Sequence, residues 1–327
     1  MEEKDKVQEE MQSEILSEAA SEQSEVSTPP MGLKVIIREF KKDKVALFAL
    51  AVLMVFLITT AVWYIRLDIQ AVTQVDILRH FAEPSEFNWG LVADAWNGEK
   101  SFIFGADEGG RDVFMLLFLA AGNSIVIAIA VTSIIAVIGI TFGLIAGYYG
   151  GFIDNAIMRI TDFVMTLPTT MIIIVFLVIV PEQNIGSFIF IMSIFAWTGY
   201  ARIVRSKALS ESRLDYISAS KTMGTPTWKI ILQQMLPNLT SLIMIQLILS
   251  YASNIGLETG LTFLGYGLPD QTPSLGRLVS AATTPYNLEN RPWVWLPAST
   301  LILVLMLSIN YVGQALKRSS DAKQRLG

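Results

Sequence analysis

About six stretches of this sequence are apolar over close to the 20 residues that a helix needs to cross a hydrocarbon core. They run over 45–65, 124–148, 163–180, 185–204, roughly 240–260 and 294–312. The expected fold is therefore an all-α integral membrane protein with about six transmembrane helices. Composition agrees: 52% of the 327 residues are hydrophobic and only 16% are charged, which lies outside the usual soluble range.

The formal charge of -5 misleads, because much of the acid sits in the first thirty residues. That stretch is rich in Glu, Gln and Ser and has no apolar core. It reads as a disordered acidic tail over 1–30 and not as a cleavable signal. A basic flank and the first span follow over 31–66, then an outer segment over 67–120. A core with five more spans is expected over 121–316, and a short tail over 317–327. Some of the outer segment is expected along the membrane surface.

Orientation comes from the basic residues. Lys34, Arg38, Lys41, Lys42 and Lys44 precede the first span. Arg205, Lys207, Arg213, Lys221 and Lys229 follow the fourth, and Lys317, Arg318, Lys323 and Arg325 follow the sixth. The segment 265–292 carries only Arg277 and Arg291. The positive-inside rule puts both termini and the loop 205–238 in the cytoplasm.

Enzymatic motifs are missing. The sequence has no cysteine, and its one histidine, His80, reads as a solvated loop residue. There is no phosphate-binding G-x-x-x-x-G-K-[ST]; Gly98-Glu99-Lys100-Ser101 lacks the glycine loop. Neither H-E-x-x-H nor G-x-S-x-G occurs. Energy for any transport must come from a partner or an ion gradient.

Within the spans, Gly139, Gly143 and Gly147 place a small residue at every fourth position, a stripe that lets two helix backbones approach closely. Glu258 lies near the outer end of the fifth span. A carboxylate at mid-bilayer costs about 2.5–3.5 kcal/mol, so it should face the bundle interior or the outer interface. It either lines a pathway or serves the backbone of 262–267. Gln246, Asn254 and Asn310 are open to the same two readings, route lining or interhelical hydrogen bonds. Pro168 is expected to make a static kink early in the third span.

The loop 205–238 carries two helical patterns joined at Gly224-Thr225-Pro226. Tyr216, Ala219, Ser220 and Met223 fall on one face, and Trp228, Ile231, Leu232 and Met235 on another. Thr225 is expected to cap the second helix, with Pro226 at its first position. Retained positive charge explains the lysines and arginines but not two amphipathic faces. Docking onto a partner, or lying on the lipid surface, would explain them.

Residues 215–237 resemble the EAA motif of bacterial ABC-importer permeases. Ser218-Ala219-Ser220 stands at Glu-Ala-Ala, Gly224 at the glycine, and Leu236-Pro237 at the end, with Gln234 in place of an isoleucine. The stretch Phe104-Gly105-Ala106-Asp107-Glu108-Gly109-Gly110-Arg111-Asp112-Val113 is similar to a G-T-D-x-x-G-R-D-V segment. That segment belongs to the C-type subunit of the oligopeptide/dipeptide/nickel permeases. Gly150-Gly151, Asp154, Met158-Arg159, Asp162 and Pro168 follow the same family. So do Leu257-Glu258, Leu261, Phe263-Leu264-Gly265, Gly267 and Pro273-Ser274-Leu275-Gly276, the last with Leu275 for tryptophan. Gln314 departs from a commonly acidic position, and the acidic N-terminal extension has no counterpart.

The resemblance implies a type I ABC-importer permease fold in a bacterial plasma membrane. It implies half of a pore paired with a homologous B-type permease, two ABC ATPase subunits beneath and an extracytoplasmic substrate-binding protein above. ATP and Mg2+ belong to the ATPases, no cofactor to this chain, and no nucleic acid to the assembly. Peptide is the implied cargo, with nickel or another small solute as the alternative. A stand-alone secondary transporter and a non-transporting scaffold are the outside readings. Tyr216, Ser218, Ala219, Ser220, Met223, Gly224 and Thr225 are the implied ATPase-contacting set.

Overall fold

The computed structural model describes residues 33–181, 184–269 and 271–324, with side chains described for these except 33–36 and 321–324. The expected acidic tail over 1–30 lies outside the described residues. Among the described residues every regular element is helical, and the only β pairing is one antiparallel bridge between Ala106 and Asp112.

Among the described residues, five helices are long and apolar enough to cross a membrane. They are α2 (Lys44–Arg66), α5 (Val113–Tyr149), α8 (Ile185–Glu211), α10 (Thr227–Phe263) and α13 (Pro292–Gln324). The first matches the apolar stretch in the sequence nearly residue for residue. Its start is fixed by Asp43, whose carboxylate accepts from the Val45 and Ala46 amides at 3.1 and 3.0 Å. The other four run well past their apolar stretches. At 37 residues, α5 is about 55 Å long, nearly twice a hydrocarbon core.

The third expected span is not one straight helix. It is divided into α6 (Gly151–Thr166) and α7 (Thr169–Ile179), bent by 79°. Pro168 sits at the junction, and Leu167 before it is extended, as a residue preceding proline prefers. The 11 residues of α7 cover only about 17 Å, so a sixth crossing requires both arms. The feature expected as a kink is a corner.

Helix α5 is the centre of the bundle. It packs along most of α8, with α10 against it, α13 on α10, and α2 on α13. The glycine stripe is the α5–α8 seam. A Cβ on Gly139 would lie 2.9 Å from Tyr200 Cβ, one on Gly143 2.7 Å from Val204 Cβ, and one on Gly147 2.5 Å from Ala208 Cβ. All three are shorter than carbon–carbon contact distance. The seam closes only because the side chains are missing.

The segment after the first long helix docks on the bundle ends. Short helices α3 (Ile69–Thr73) and α4 (Trp89–Trp96) bring Trp96 edge-on to buried Trp63 at 5.5 Å. The family-like stretch 104–113 then ties a knot. Asp107 accepts from the Gly109 and Arg111 amides, both at 2.9 Å, and pairs with the Arg111 guanidinium at 2.6 Å. Asp112 caps α5 and also accepts from the Ser101 and Phe102 amides at 2.7 Å. Gly110 is obligatory, because φ is 67° and a Cβ would meet the Asp76 carbonyl at 1.8 Å.

Candidate functional site

The basic loop between the fourth and fifth apolar stretches is shorter than expected. Helix α8 continues through Glu211 and α10 begins at Thr227, so only 212–226 lies outside the two long helices. Arg205 lies inside α8, where Asp154 of α6 pairs with its guanidinium, one contact being 2.8 Å. Arg202 pairs likewise with Asp162.

Between them lies α9 (Asp215–Thr222), and its end is built by backbone bonds. The Thr225 amide donates to the Ser220 carbonyl and the Gly224 amide to the Lys221 carbonyl, both at 3.0 Å. With Gly224 at φ 76°, this is a Schellman closure. Thr225 therefore belongs to the end of α9, contrary to its expected role as a cap on the next helix. Pro226 occupies the N-cap position of α10, and no side chain caps that end. One turn later α10 widens into a π-helical turn over Ile230–Met235, with the Leu236 amide reaching the Ile231 carbonyl. Pro237 follows at once. Having no amide, it cannot bond the carbonyl four residues back, which favours the wider turn.

The expected face 216/219/220/223 is split by packing. Ser220 is buried together with Ile217, which was not on that face. Ile217 sits in an apolar cluster with Val204, Ala208, Ile230, Met235 and Leu239. Ser218, Ala219 and Gly224 are exposed, Met223 is 77% exposed, and Trp228 and Leu232 are more than half exposed. A solvent-facing apolar row beside two long helices is surface made for another protein or for lipid.

Tyr216 points back into the chain. Its hydroxyl donates to Glu211 Oε1 at 2.6 Å and accepts from Asn238 Nδ2 at 2.7 Å; the same amide donates to Glu211 Oε1 at 3.0 Å. Partial burial pushes the phenol up to about 12, and its hydrogen bond to the Glu211 carboxylate adds to the rise. On the far side of α9, Lys221 Nζ lies 4.5 Å from the Tyr148 ring centre at the end of α5. The short helix is thus held at the ends of α5, α8 and α10 together. Glu211 and Asn238 did not stand out in the sequence. The available signal was the position of Glu211 at the close of a long helix and of Asn238 directly after Pro237.

The polar candidates within the long helices separate. Glu258 is 0% exposed and accepts from the hydroxyls of Ser124 at 2.9 Å and Thr262 at 3.1 Å. Ser124 in turn accepts from the Leu275 amide at 3.2 Å. Glu258 therefore serves neighbouring hydroxyls, and not the backbone of 262–267. Asn254 is buried and donates to Thr132 Oγ1 at 2.9 Å. Asn310 donates to the Met306 carbonyl of its own helix at 2.9 Å. Gln246 lines a cavity of about 550 Å3 shared with Lys207, Asn238, Ser241 and Lys317. Glu258 and Asn254 offer no surface to a passing solute in this conformation. No group of three or more His, Cys, Asp or Glu side chains that could hold a metal is found among the described residues.

Residues 139–325 match the family model described as binding-protein-dependent transport system inner membrane component. The oligopeptide transport system permease protein OppC of Lactococcus lactis is 42% identical over 289 residues, covering 88% of this chain and 94% of that protein. The dipeptide transport system permease protein DppC of Bacillus subtilis is 32% identical over 288 residues, covering 88% and 85%. OppC of Bacillus subtilis is 29% identical over 287 residues, covering 88% of each.

Proposed function

Because the chain belongs to the family of binding-protein-dependent transport system inner membrane components, it is a multi-pass permease subunit of an ABC importer, and we propose that peptide is its cargo. The relatives carry oligopeptide and dipeptide transport names over nearly their whole length, and that coverage favours peptide over nickel. The subunit is proposed to do no chemistry of its own. ATP and Mg2+ are proposed to bind on partner ATPases, and a sibling permease of the B type to complete the pore. A substrate-binding protein is proposed to dock on the outer knot around 104–113.

The observation that carries this reading is the exposed α9 elbow. It is braced by three long helices, yet it presents Ser218, Ala219 and Met223 to solvent. A lipid-facing element has no reason to be tied to three spans at once; an element that receives a push does. The elbow is proposed to sit on the cytoplasmic face, with both termini, as the basic flanks indicate. Residues 218, 219, 223 and 224 would touch an ATPase, Thr225 closing the turn behind them. Ser220 and Tyr216 would hold the helix from the rear. Gln246 is proposed as the pathway-facing residue among the four polar candidates.

Uptake assays in proteoliposomes test this. Peptide accumulation should require the sibling permease, the ATPases and ATP. Accumulation by this chain alone, driven by an ion gradient, would instead establish a secondary transporter.

A further inference from the structure

We propose that Glu211, Tyr216 and Asn238 form a closed hydrogen-bonded ring through which α9 moves α8 and α10 together. The proposal rests on the importer reading above and deepens it by naming the positioning residues behind the docking surface.

The ring joins residues that are close in space and separate in the chain. Glu211 is the last residue of α8, Tyr216 lies in the first turn of α9, and Asn238 lies 22 positions further on, in α10 just past its π-helical turn. Each of the three touches both others, at 2.6, 2.7 and 3.0 Å. The Tyr216 hydroxyl is used twice, once as donor and once as acceptor, so it fills both roles that only a hydroxyl can combine here. One edge of such a ring cannot shear without straining the other two. Glu211, the acceptor shared by two of the three bonds, is only 8% exposed, whereas Tyr216 and Asn238 are open to solvent, so the ring is shielded from water on its Glu211 side.

The other restraints on α9 are softer. Ile217 makes apolar contacts, which have no preferred direction. The Lys221–Tyr148 contact is a charge over a ring face. At the far end Gly224 leaves α9 through a left-handed turn with open space around its Cα. Among the described residues, Tyr216 is where side-chain hydrogen bonds carry a displacement of the exposed face of α9 to both α8 and α10.

The test uses the full transporter, purified and reconstituted with all its subunits, and reads uptake per ATP hydrolysed. Tyr216→Phe removes the hydroxyl and keeps the ring. Uptake per ATP should fall by about fivefold or more, the lower range of coupling between linked sites, while ATP hydrolysis and the amount of assembled complex stay near wild type. Asn238→Ala should do the same. Glu211→Gln keeps an acceptor oxygen and should retain most coupling, whereas Glu211→Ala should not. A purely structural ring would lower assembly, hydrolysis and uptake in proportion.

The chain has no cysteine, so a second variant is clean: Tyr216→Cys with Asn238→Cys. Without a bridge it should be uncoupled, and a short dithiol-reactive linker should restore uptake per ATP. Wild-type coupling in Tyr216→Phe overturns the proposal. So does a bridged double variant no better than the unbridged one, or failure of both variants to assemble. A wild-type complex that transports without ATPases would remove the importer reading itself; a coupled wild type with an indifferent Tyr216→Phe removes only the ring.

Discussion

Ser124 donates to Glu258 Oε2 across 2.9 Å and, through the same oxygen, accepts from the Leu275 amide at 3.2 Å. One hydroxyl thereby fastens α5, α10 and the short helix α11 (Leu275–Ser280) at a single point. Asn123 beside it donates to the Pro273 carbonyl at 2.7 Å, so the return segment after α10 is pinned twice.

Replacing Ser124 with Ala leaves the Leu275 amide and one carboxylate oxygen without that partner in a buried site. The expected cost is about 1–3 kcal/mol. Thermal unfolding in detergent should shift downward, and amide exchange over 271–280 should accelerate. An unchanged midpoint with unchanged exchange would show that the hydroxyl is dispensable.

The α5–α8 seam gives a steric prediction. Gly143→Leu pushes a side chain into Val204, whose Cβ would lie 2.7 Å from the new Cβ. Overpacking of this kind costs about 1–3 kcal/mol or more, because two backbones must separate. Gly150→Ala, at the cap just beyond α5, is the control: a Cβ there meets nothing within 4 Å, though φ of 62° carries backbone strain. Yield and thermal midpoint should fall much further for the first variant.

Gly224→Val acts through backbone conformation alone. No atom lies within 4 Å of the added Cβ, but φ of 76° costs a side-chain-bearing residue about 1–2 kcal/mol. Membrane insertion should be normal, with ATP hydrolysis proceeding while uptake drops. Normal coupled uptake would weigh heavily against the proposed role of the elbow.

The Tyr216 phenol supplies a titration. Its folded value is raised from 10.0 to about 12, first by burial and then by its bond to Glu211. A raised value means that the neutral form is favoured in the folded chain. Its stabilising contribution is full below about pH 10 and is lost as pH rises toward about 12. The wild-type minus Tyr216→Phe tyrosinate absorbance should therefore step near pH 12. A step near pH 10 would show that the ring is open.

Much of this architecture is legible because apolar length is a one-dimensional signal. The first span, the glycine stripe and the family-like knot at 104–113 can all be read along the sequence. The corner at Pro168 was visible only as a proline, since the sequence does not say how far a chain turns once the α region is denied to Leu167. Apolar length does not mark the helix ends, because Lys207, Ala208 and Glu211 continue α8 past its apolar stretch. Burial, which hydropathy does not carry, decided the polar residues: Glu258 and Gln246 look alike in a string, yet one is enclosed by Ser124 and Thr262 and the other faces a cavity. Tyr216 was assigned to the docking face by helical periodicity, and its hydroxyl turned inward because Glu211 and Asn238 wait there from other helices.

The central claim is that the α9 elbow is gripped by an ATPase. A photo-crosslinking amino acid at position 219, in cells that co-express the transporter subunits, tests it directly. The account predicts an adduct between this chain and an ATPase subunit, strengthened or weakened by trapping the nucleotide-bound state. Labelling of position 219 from the outer face of intact cells, or an adduct with lipid alone, would contradict it.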